Sequence, residues 1–353
     1  MDSSSQREHS MDFDLRCLRF IENQEQKETI TQPNVLISPL VLAVLLEFFG
    51  EYYRELRDEI LHLIGEKYKS LHISTALRVF AMLAGVSTEK NSQLDVEFPH
   101  MIRARWDRDF INQTAKHHTN GLIEEVIPDW LSYKPPLFLA CVAAKSKWTH
   151  PFHSETKNRT FHLRKGVYKM HHPFMYFRDF KPTLAYWQTK HLKTIVLPTQ
   201  DGFSVHFTMP NCDLSLSDSR QYRDEWIEHT TRNHKRMSQT DRHVIEIPRF
   251  DLFETYDFYE VLQVIGLENI SKRMQDKFTV PQPFGLKTVR VRVDTNGFEA
   301  ASSVVLCDSY CHIPHTEASP VITWIGDRPF AFTIRTTQQI LFHGIVNDPI
   351  MTC

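Results

Sequence analysis

The chain has 353 residues, 41% of them hydrophobic and 12% aromatic, which supplies a large core and excludes the composition of a disordered protein. Its 41 Lys and Arg balance 43 Asp and Glu to a formal net charge of −2, so there is no field to gather nucleic acid or an acidic membrane surface. The six cysteines (Cys17, Cys141, Cys212, Cys307, Cys311 and Cys353) are too scattered to frame a small disulfide-built fold and fit mostly free thiols.

Residues 1–10 form a polar tail expected to be flexible. The first 20 residues carry Arg7, Glu8, Asp12, Asp14 and Arg16 and no apolar h-region, so no signal peptide is visible and an intracellular location is expected of the chain as it stands. Against that stand three glycosylation-type sequons, at Asn112-Gln113-Thr114, Asn158-Arg159-Thr160 and Asn269-Ile270-Ser271, which matter only in a secreted protein. Phe13, Cys17, Phe20 and Ile21 recur at helical spacing and predict an amphipathic first helix. Ser38 can cap the next helix and Pro39 suits its first turn. The run Leu40 to Leu46 is apolar on every side, as in a helix buried at the centre of a core. The longest apolar run, Val35 to Phe49, is interrupted by Ser38, Pro39 and Glu47 and is too short to span a bilayer.

From Tyr52 to Ile123 the pattern reads as mostly helical, with Leu56, Ile60, Leu61 and Ile64 on one face and Ala76 to Ala84 as either strand or helix. Beyond Pro135 the character changes. Leu137 to Val142 reads as a buried strand, and Thr194 to Leu197, Phe203 to Met209 and Val244 to Ile247 as further strands, before a helix returns near Asp257 to Ile265. Helices early and strands late predict an α+β fold, and no stretch reads as a linker, so residues 11–353 are expected to form a single domain.

The chain has no Gly-rich phosphate loop, no G-x-S-x-G elbow and no H-E-x-x-H, so nothing points to an enzyme. Cys307, Cys311, His312 and His315 are ligand types that suit zinc, but their spacing matches no standard zinc pattern; two free thiols and two solvated histidines are expected, with no metal and no cofactor. His171-His172, His150 and His153 read as surface residues.

Several separated blocks carry a resemblance. They are Asn34-Val35-Leu36-Ile37-Ser38-Pro39-Leu40, Thr119-Asn120-Gly121-Leu122-Ile123, and Lys145-Ser146-Lys147-Trp148 followed by Phe152 and Thr160-Phe161. Further on come Leu197-Pro198, Met209-Pro210, Ile247-Pro248-Arg249-Phe250, Leu262 to Leu267, and a closing pattern from Pro329-Phe330 through Ile334-Arg335, Ile340-Leu341-Phe342 and Gly344 to Pro349. In order and spacing these blocks resemble the serpin family over nearly the whole chain. The resemblance implies an α+β serpin fold of about nine helices and three β-sheets, with an exposed reactive loop near the C-terminus at about residues 297–326. It implies a serine protease inhibitor that is cleaved in that loop, holds the protease as an acyl-enzyme and inserts the cut loop as a new central strand. The expected partner is a target protease of the serine or cysteine class, the chain itself being monomeric. An extracellular location is implied by the same resemblance.

In this family the residue after the hinge glycine points inward. Insertion with period two then places Phe298, Ala300, Ser302 and Val304 on the buried face and Glu299, Ala301 and Ser303 outside, counted from Gly297. Inhibitory members have Thr or Ser where Phe298 stands. A ring forced into a small site costs about 1–3 kcal/mol and would slow insertion, unless the core has repacked around it. At the family's hydrogen-bonded Ser, Asn and His cluster beneath the opening sheet, Ser38 alone remains while Val41, Ala140 and Lys287 stand in the other places; Trp148 is the buried tryptophan at the top of the sheet. Counting forward from Gly297 puts the scissile bond after Cys311, next to His312; counting back from Pro329-Phe330 puts it near Ala318. Tyr310 would suit an apolar protease pocket, and Asp308 resembles the loop of viral serpins that inhibit caspases. Phe298 and the altered cluster leave open a non-inhibitory serpin acting as a binding protein, chaperone or decoy substrate.

Overall fold

The computed structural model describes residues 34–65, 76–84, 101–104, 107–127, 137–153, 156–163, 169–179, 184–211, 238–240, 243–277, 286–302 and 322–349, with isolated positions between 13 and 24 and at 129, 225 and 229. Its strands are β1 (Val35–Ile37), β2 (Leu77–Ala84), β3 (Met101–Ala104), β4 (Leu137–Lys147), β5 (Lys157–His162), β6 (Lys169–Asp179), β7 (Leu184–Gln188), β8 (Leu192–Pro198) and β9 (Ser204–Pro210). They continue with β10 (Ser238–Thr240), β11 (His243–Pro248), β12 (Phe250–Asp257), β13 (Leu286–Val293), β14 (Gly297–Ser302), β15 (Ile322–Ile325), β16 (Phe330–Arg335) and β17 (Ile340–Val346). Five α-helices have both ends among the described residues: α1 (Pro39–Tyr52), α2 (Arg57–Ile64), α3 (Arg108–His118), α4 (Phe258–Val264) and α5 (Glu268–Gln275).

The strands build three sheets. One has seven strands in the order β1-β17-β16-β9-β8-β7-β10, one has four in the order β15-β11-β6-β5, and the third has six in the order β12-β13-β14-β4-β2-β3. The six-stranded sheet contains the segment expected to be a loop hinge.

Helix α1 forms where the sequence predicts it. Ser38 has extended backbone and its Oγ accepts from the Val41 amide at 3.3 Å, while Pro39 fills the first turn, whose amides have no helical acceptor. Nearly every face of α1 is buried, so its side chains divide between two apolar clusters, one against the sheets and one against α2, α4 and α5. The N-terminal residues Phe13, Cys17, Phe20 and Ile21 are helical and buried in the second cluster.

The stretch from Tyr52 to Ile123 departs from its helical reading, because Leu77–Ala84 and Met101–Ala104 are strands. Strand β2 lies between β4 and β3 and is buried on both faces, so its apolar residues run without alternation and local periodicity does not separate it from a buried helix. Helix α3 crosses the outer face of this sheet. Asp107 caps it, its carboxylate accepting from the Phe110 amide at 3.0 Å, and Ile111 and Ala115 pack on Phe80, Met82 and Cys141. It ends in a turn at Asn120 and Gly121, both with positive φ (53° and 78°), and Thr119 Oγ1 accepts from the Ile123 amide at 3.1 Å to direct the chain back over the sheet. Asn112 fastens that return: its side chain accepts from Val126 and Ile127 at 3.0 and 2.9 Å and donates to the Ile127 carbonyl at 3.0 Å.

Among the described residues no helix is long and apolar enough to cross a membrane. His171 is exposed as expected, but His172 is buried, with its Nε2 2.5 Å from the Arg249 carbonyl oxygen. Strand alternation explains the difference, since His172 and Phe174 share the inward face of β6.

Candidate functional site

Residues Gly297–Ser302 are seated in the sheet as strand β14, antiparallel to β13 on one side and to β4 on the other. The register opposes Phe298 to Val293 and Ser146, Glu299 to Arg292 and Lys145, Ala300 to Val291 and Ala144, and Ser302 to Val289 and Val142. A hairpin turn makes the connection from β13. The Asp294 carboxylate accepts from the Asn296 amide at 2.7 Å and the Gly297 amide at 3.3 Å, and the Asp294 amide donates to the Gly297 carbonyl at 3.0 Å. Turns of this kind suit Asp, whose short side chain bonds amides two residues on.

Phe298 and Ala300 point into the core. Phe298 is 1% exposed and meets Phe203 edge-on, with ring centroids 5.7 Å apart and planes at 74°. An edge-to-face pair at this separation is favourable beyond its burial. The site is therefore shaped for the ring. Ala301 faces outward but is also buried, under Leu122 and Ile123 of the segment returning from α3. The small side chain is what lets that segment lie so close to the sheet.

Gly297 sits where no side chain fits. A Cβ there would collide with the Ser146 carbonyl oxygen and stand 2.8 Å from the Lys147 Cα. At this top end of the sheet Trp148, buried, donates from Nε1 to the Asp294 carbonyl at 2.9 Å, and its own amide donates to the Asn296 carbonyl at 3.0 Å. Ser146 Oγ donates to the Asp201 carboxylate at 2.5 Å. The turn that leads into β14 is thus tied to β4 by backbone and side chain together.

Across the outer face, four charged residues stand directly opposite one another on four adjacent strands: Asp251, Arg292, Glu299 and Lys145. Asp251 accepts from Arg290 at 2.9 and 2.8 Å and from Arg292 at 3.0 and 2.9 Å. Burial alone would raise the Asp251 carboxyl, but the bonds from Arg290 and Arg292 together hold it below the usual carboxylate range. Glu299 pairs with Lys145 and lies 3.7 Å from Arg292 Nη1.

Beneath the sheet, Ser38 Oγ donates to the Leu341 carbonyl at 2.7 Å and is fully buried. Val41 and Ala140 are buried in the same apolar cluster as Phe298 and Ala300. Close by in register, His343 opposes Ile37 and its Nδ1 is 2.6 Å from Thr333 Oγ1. Burial pushes the His343 imidazole down to about 3. Lys287 of β13 opposes Tyr256 of β12, and its side chain lies outside the described residues, as do Ser303, Val304, Asp308, Tyr310, Cys311, His312 and Ala318. The four candidate zinc ligands of the loop lie there too; among the described residues no cluster could hold a metal ion.

The profile of the serpin (serine protease inhibitor) family matches residues 86–349. The chain belongs to the serpin family. It is 27% identical over 268 residues to Serpin-Z1 of Arabidopsis thaliana, a match covering 69% of this chain and 62% of that protein, so it spans a little under two thirds of the length of that serpin. Among solved structures, a cleaved form of Serpin 42Da superposes with a TM-score of 0.72 at 18% identity, covering 97% of this serpin and 98% of the other chain. The Arabidopsis serpin AtSerpin1 in its native stressed conformation superposes with a TM-score of 0.70 at 20% identity, covering 99% of both chains. At these identities the likeness shows the serpin fold, with its three sheets.

Sequence reasoning missed three parts of the site: Phe203 as the floor for Phe298, Asp294 as the turn residue before Asn296-Gly297, and the charged row. Lys145 stood in a family block without a role. Alternation of Arg290 and Arg292 on one strand face was the available clue, but it gains meaning only once the register is known.

Proposed function

We propose that this serpin inhibits a serine protease, or one of the cysteine class, by offering a loop at about residues 297–326 as a substrate within a single domain spanning 11–353. The protease nucleophile attacks a carbonyl in the stretch from Asp308 to Ala318, the peptide bond breaks, and the new amino terminus leaves on the C-terminal side. The loop then extends β14 into the sheet and carries the acyl-enzyme away before water can release it. Family membership supports this reading. The observation that carries it is the seating of Gly297–Ser302 between β13 and β4, with Phe298 and Ala300 buried beneath and Glu299 ion-paired above.

The same observation favours a second reading. In the intact chain the hinge already occupies its place in the sheet, and where the family has polar residues beneath it this chain has Val41 and Ala140. A serpin whose slot is filled before cleavage would act as a binding protein, chaperone or decoy substrate rather than as a trap.

Incubation with a panel of serine and cysteine proteases, followed by denaturing gels, separates the two. A covalent complex is expected for an inhibitor, with the summed mass less the C-terminal fragment released beyond the scissile bond. Cleavage within the loop by every protease tested, with no such complex, would reject inhibition.

A further inference from the structure

We infer that Glu299 is the positioning residue that draws strand β14 into register and holds it there, by completing a row of alternating charge that exists only when the strand is seated. This rests on the strand-insertion reading above and concerns how that strand finds its place.

Asp251, buried on β12, hydrogen-bonds both Arg290 and Arg292, Glu124 adds a second negative charge near Arg290, and Lys145 stands on β4 across the place that β14 fills. With β14 withdrawn, Arg292 on β13 and Lys145 on β4 would edge the vacated slot from its two sides, with an excess of positive charge. Seating β14 inserts Glu299 between them, and each cation then gains an opposite charge directly across its own strand pair. Opposite charges at facing positions stabilise a sheet and like charges destabilise it.

The position also fixes register. A slip of one residue would turn Glu299 into the apolar core and Phe298 onto the outer face. A slip of two would bring Ala301 or Gly297 between Arg292 and Lys145 and leave the row without its anion. Gly297 opposes slips as well, because its place opposite Lys147 has no room for a Cβ, so the glycine sets the register at the top of the strand and Glu299 sets it two residues below.

The test uses the intact chain in four forms: wild type, Glu299→Lys, Lys145→Glu and the double exchange, with Glu299→Gln as a milder fifth. All are melted at low salt and again in about 0.5 M salt, where exposed charges are screened within a few ångströms. Glu299→Lys, which reverses two facing pairs, should lower the melting temperature by about 1–5 °C, Lys145→Glu, which reverses one, by about half as much, and the double exchange should recover about half of the Glu299→Lys loss. Glu299→Gln should lose less than Glu299→Lys, and salt should shrink every difference. Equal melting of wild type and Glu299→Lys, or a double exchange as unstable as the sum of its parts, would overturn the inference. Protease trapping, measured on the same proteins, keeps the two readings apart. If wild type traps nothing but the exchange rescues stability, the inhibitor reading fails and the role of Glu299 stands. If wild type traps and the exchange shows no coupling, the reverse holds.

Discussion

Replacing Phe298 with Thr distinguishes an ill-fitting hinge from a fitted one. The ring is 1% exposed and packs edge-on against Phe203, inside the cluster that also holds Trp148 and Leu197. Truncating a buried Phe to Ala costs about 3–5 kcal/mol through lost burial and the cavity left behind, and Thr, which keeps two heavy atoms beyond Cβ, should cost about 3 kcal/mol. With an unfolding entropy of about 2.1 cal/mol/K per residue over 353 residues, that corresponds to a fall in melting temperature of about 4 °C. A scanning calorimetry comparison of the two proteins measures it. A double-mutant cycle with Phe203→Leu should return a coupling of about 0.5–1.5 kcal/mol if the edge-on pair is real. Were Phe298 overpacked, Thr would instead relieve strain and the variant would melt at or above the wild-type temperature, and the fitted-ring account would be refuted.

Other outcomes are expected elsewhere in the fold. Ser38→Ala removes both the α1 cap and the bond to the Leu341 carbonyl, and should cost about 1–3 kcal/mol in urea unfolding. Asn112→Ala releases the three bonds that hold the return from α3, and should expose residues 119–127 to limited proteolysis while leaving the melt of the rest largely unchanged. His343 is neutral in the fold, with its imidazole held down to about 3 by burial, whereas the unfolded chain takes up a proton near pH 6.5. The unfolded state therefore binds the extra proton between those limits, so stability should fall on acidification from about pH 6.5 towards 3, by about 1.4 kcal/mol per pH unit from this group. A His343→Gln variant should lack that portion of the slope in urea titrations across the same range.

What could be read from the sequence divides along the range of the interactions. Helix α1 was legible because Ser38 and Pro39 act within one turn of themselves, and α4 because Asp257 caps it locally, accepting from the Glu260 amide at 2.9 Å. Family blocks picked out Trp148 and the segment from Gly297, which is strand β14. Strand β2 stayed ambiguous because burial on both faces erases the alternation by which a strand is known. The fit of Phe298 was not legible, since it depends on Phe203, which the fold brings to it from a loop between β8 and β9. The charged row escaped for the same reason. Asp251, Arg292, Glu299 and Lys145 come from four strands, and only the pairing register puts them opposite one another. His172 was misread as exposed because the phase of alternation in β6 is set by its packing and not by its own neighbours.

The most direct test of the central claim, that the hinge enters the sheet as strand β14, is amide hydrogen exchange on the intact chain. The amides of residues 298–302 are expected to exchange as slowly as those of β4 from Val142 to Ala144, because both stretches are paired with a strand on each side. Exchange of residues 298–302 at the rate of an open loop, with β4 protected on the β2 side alone, would contradict it.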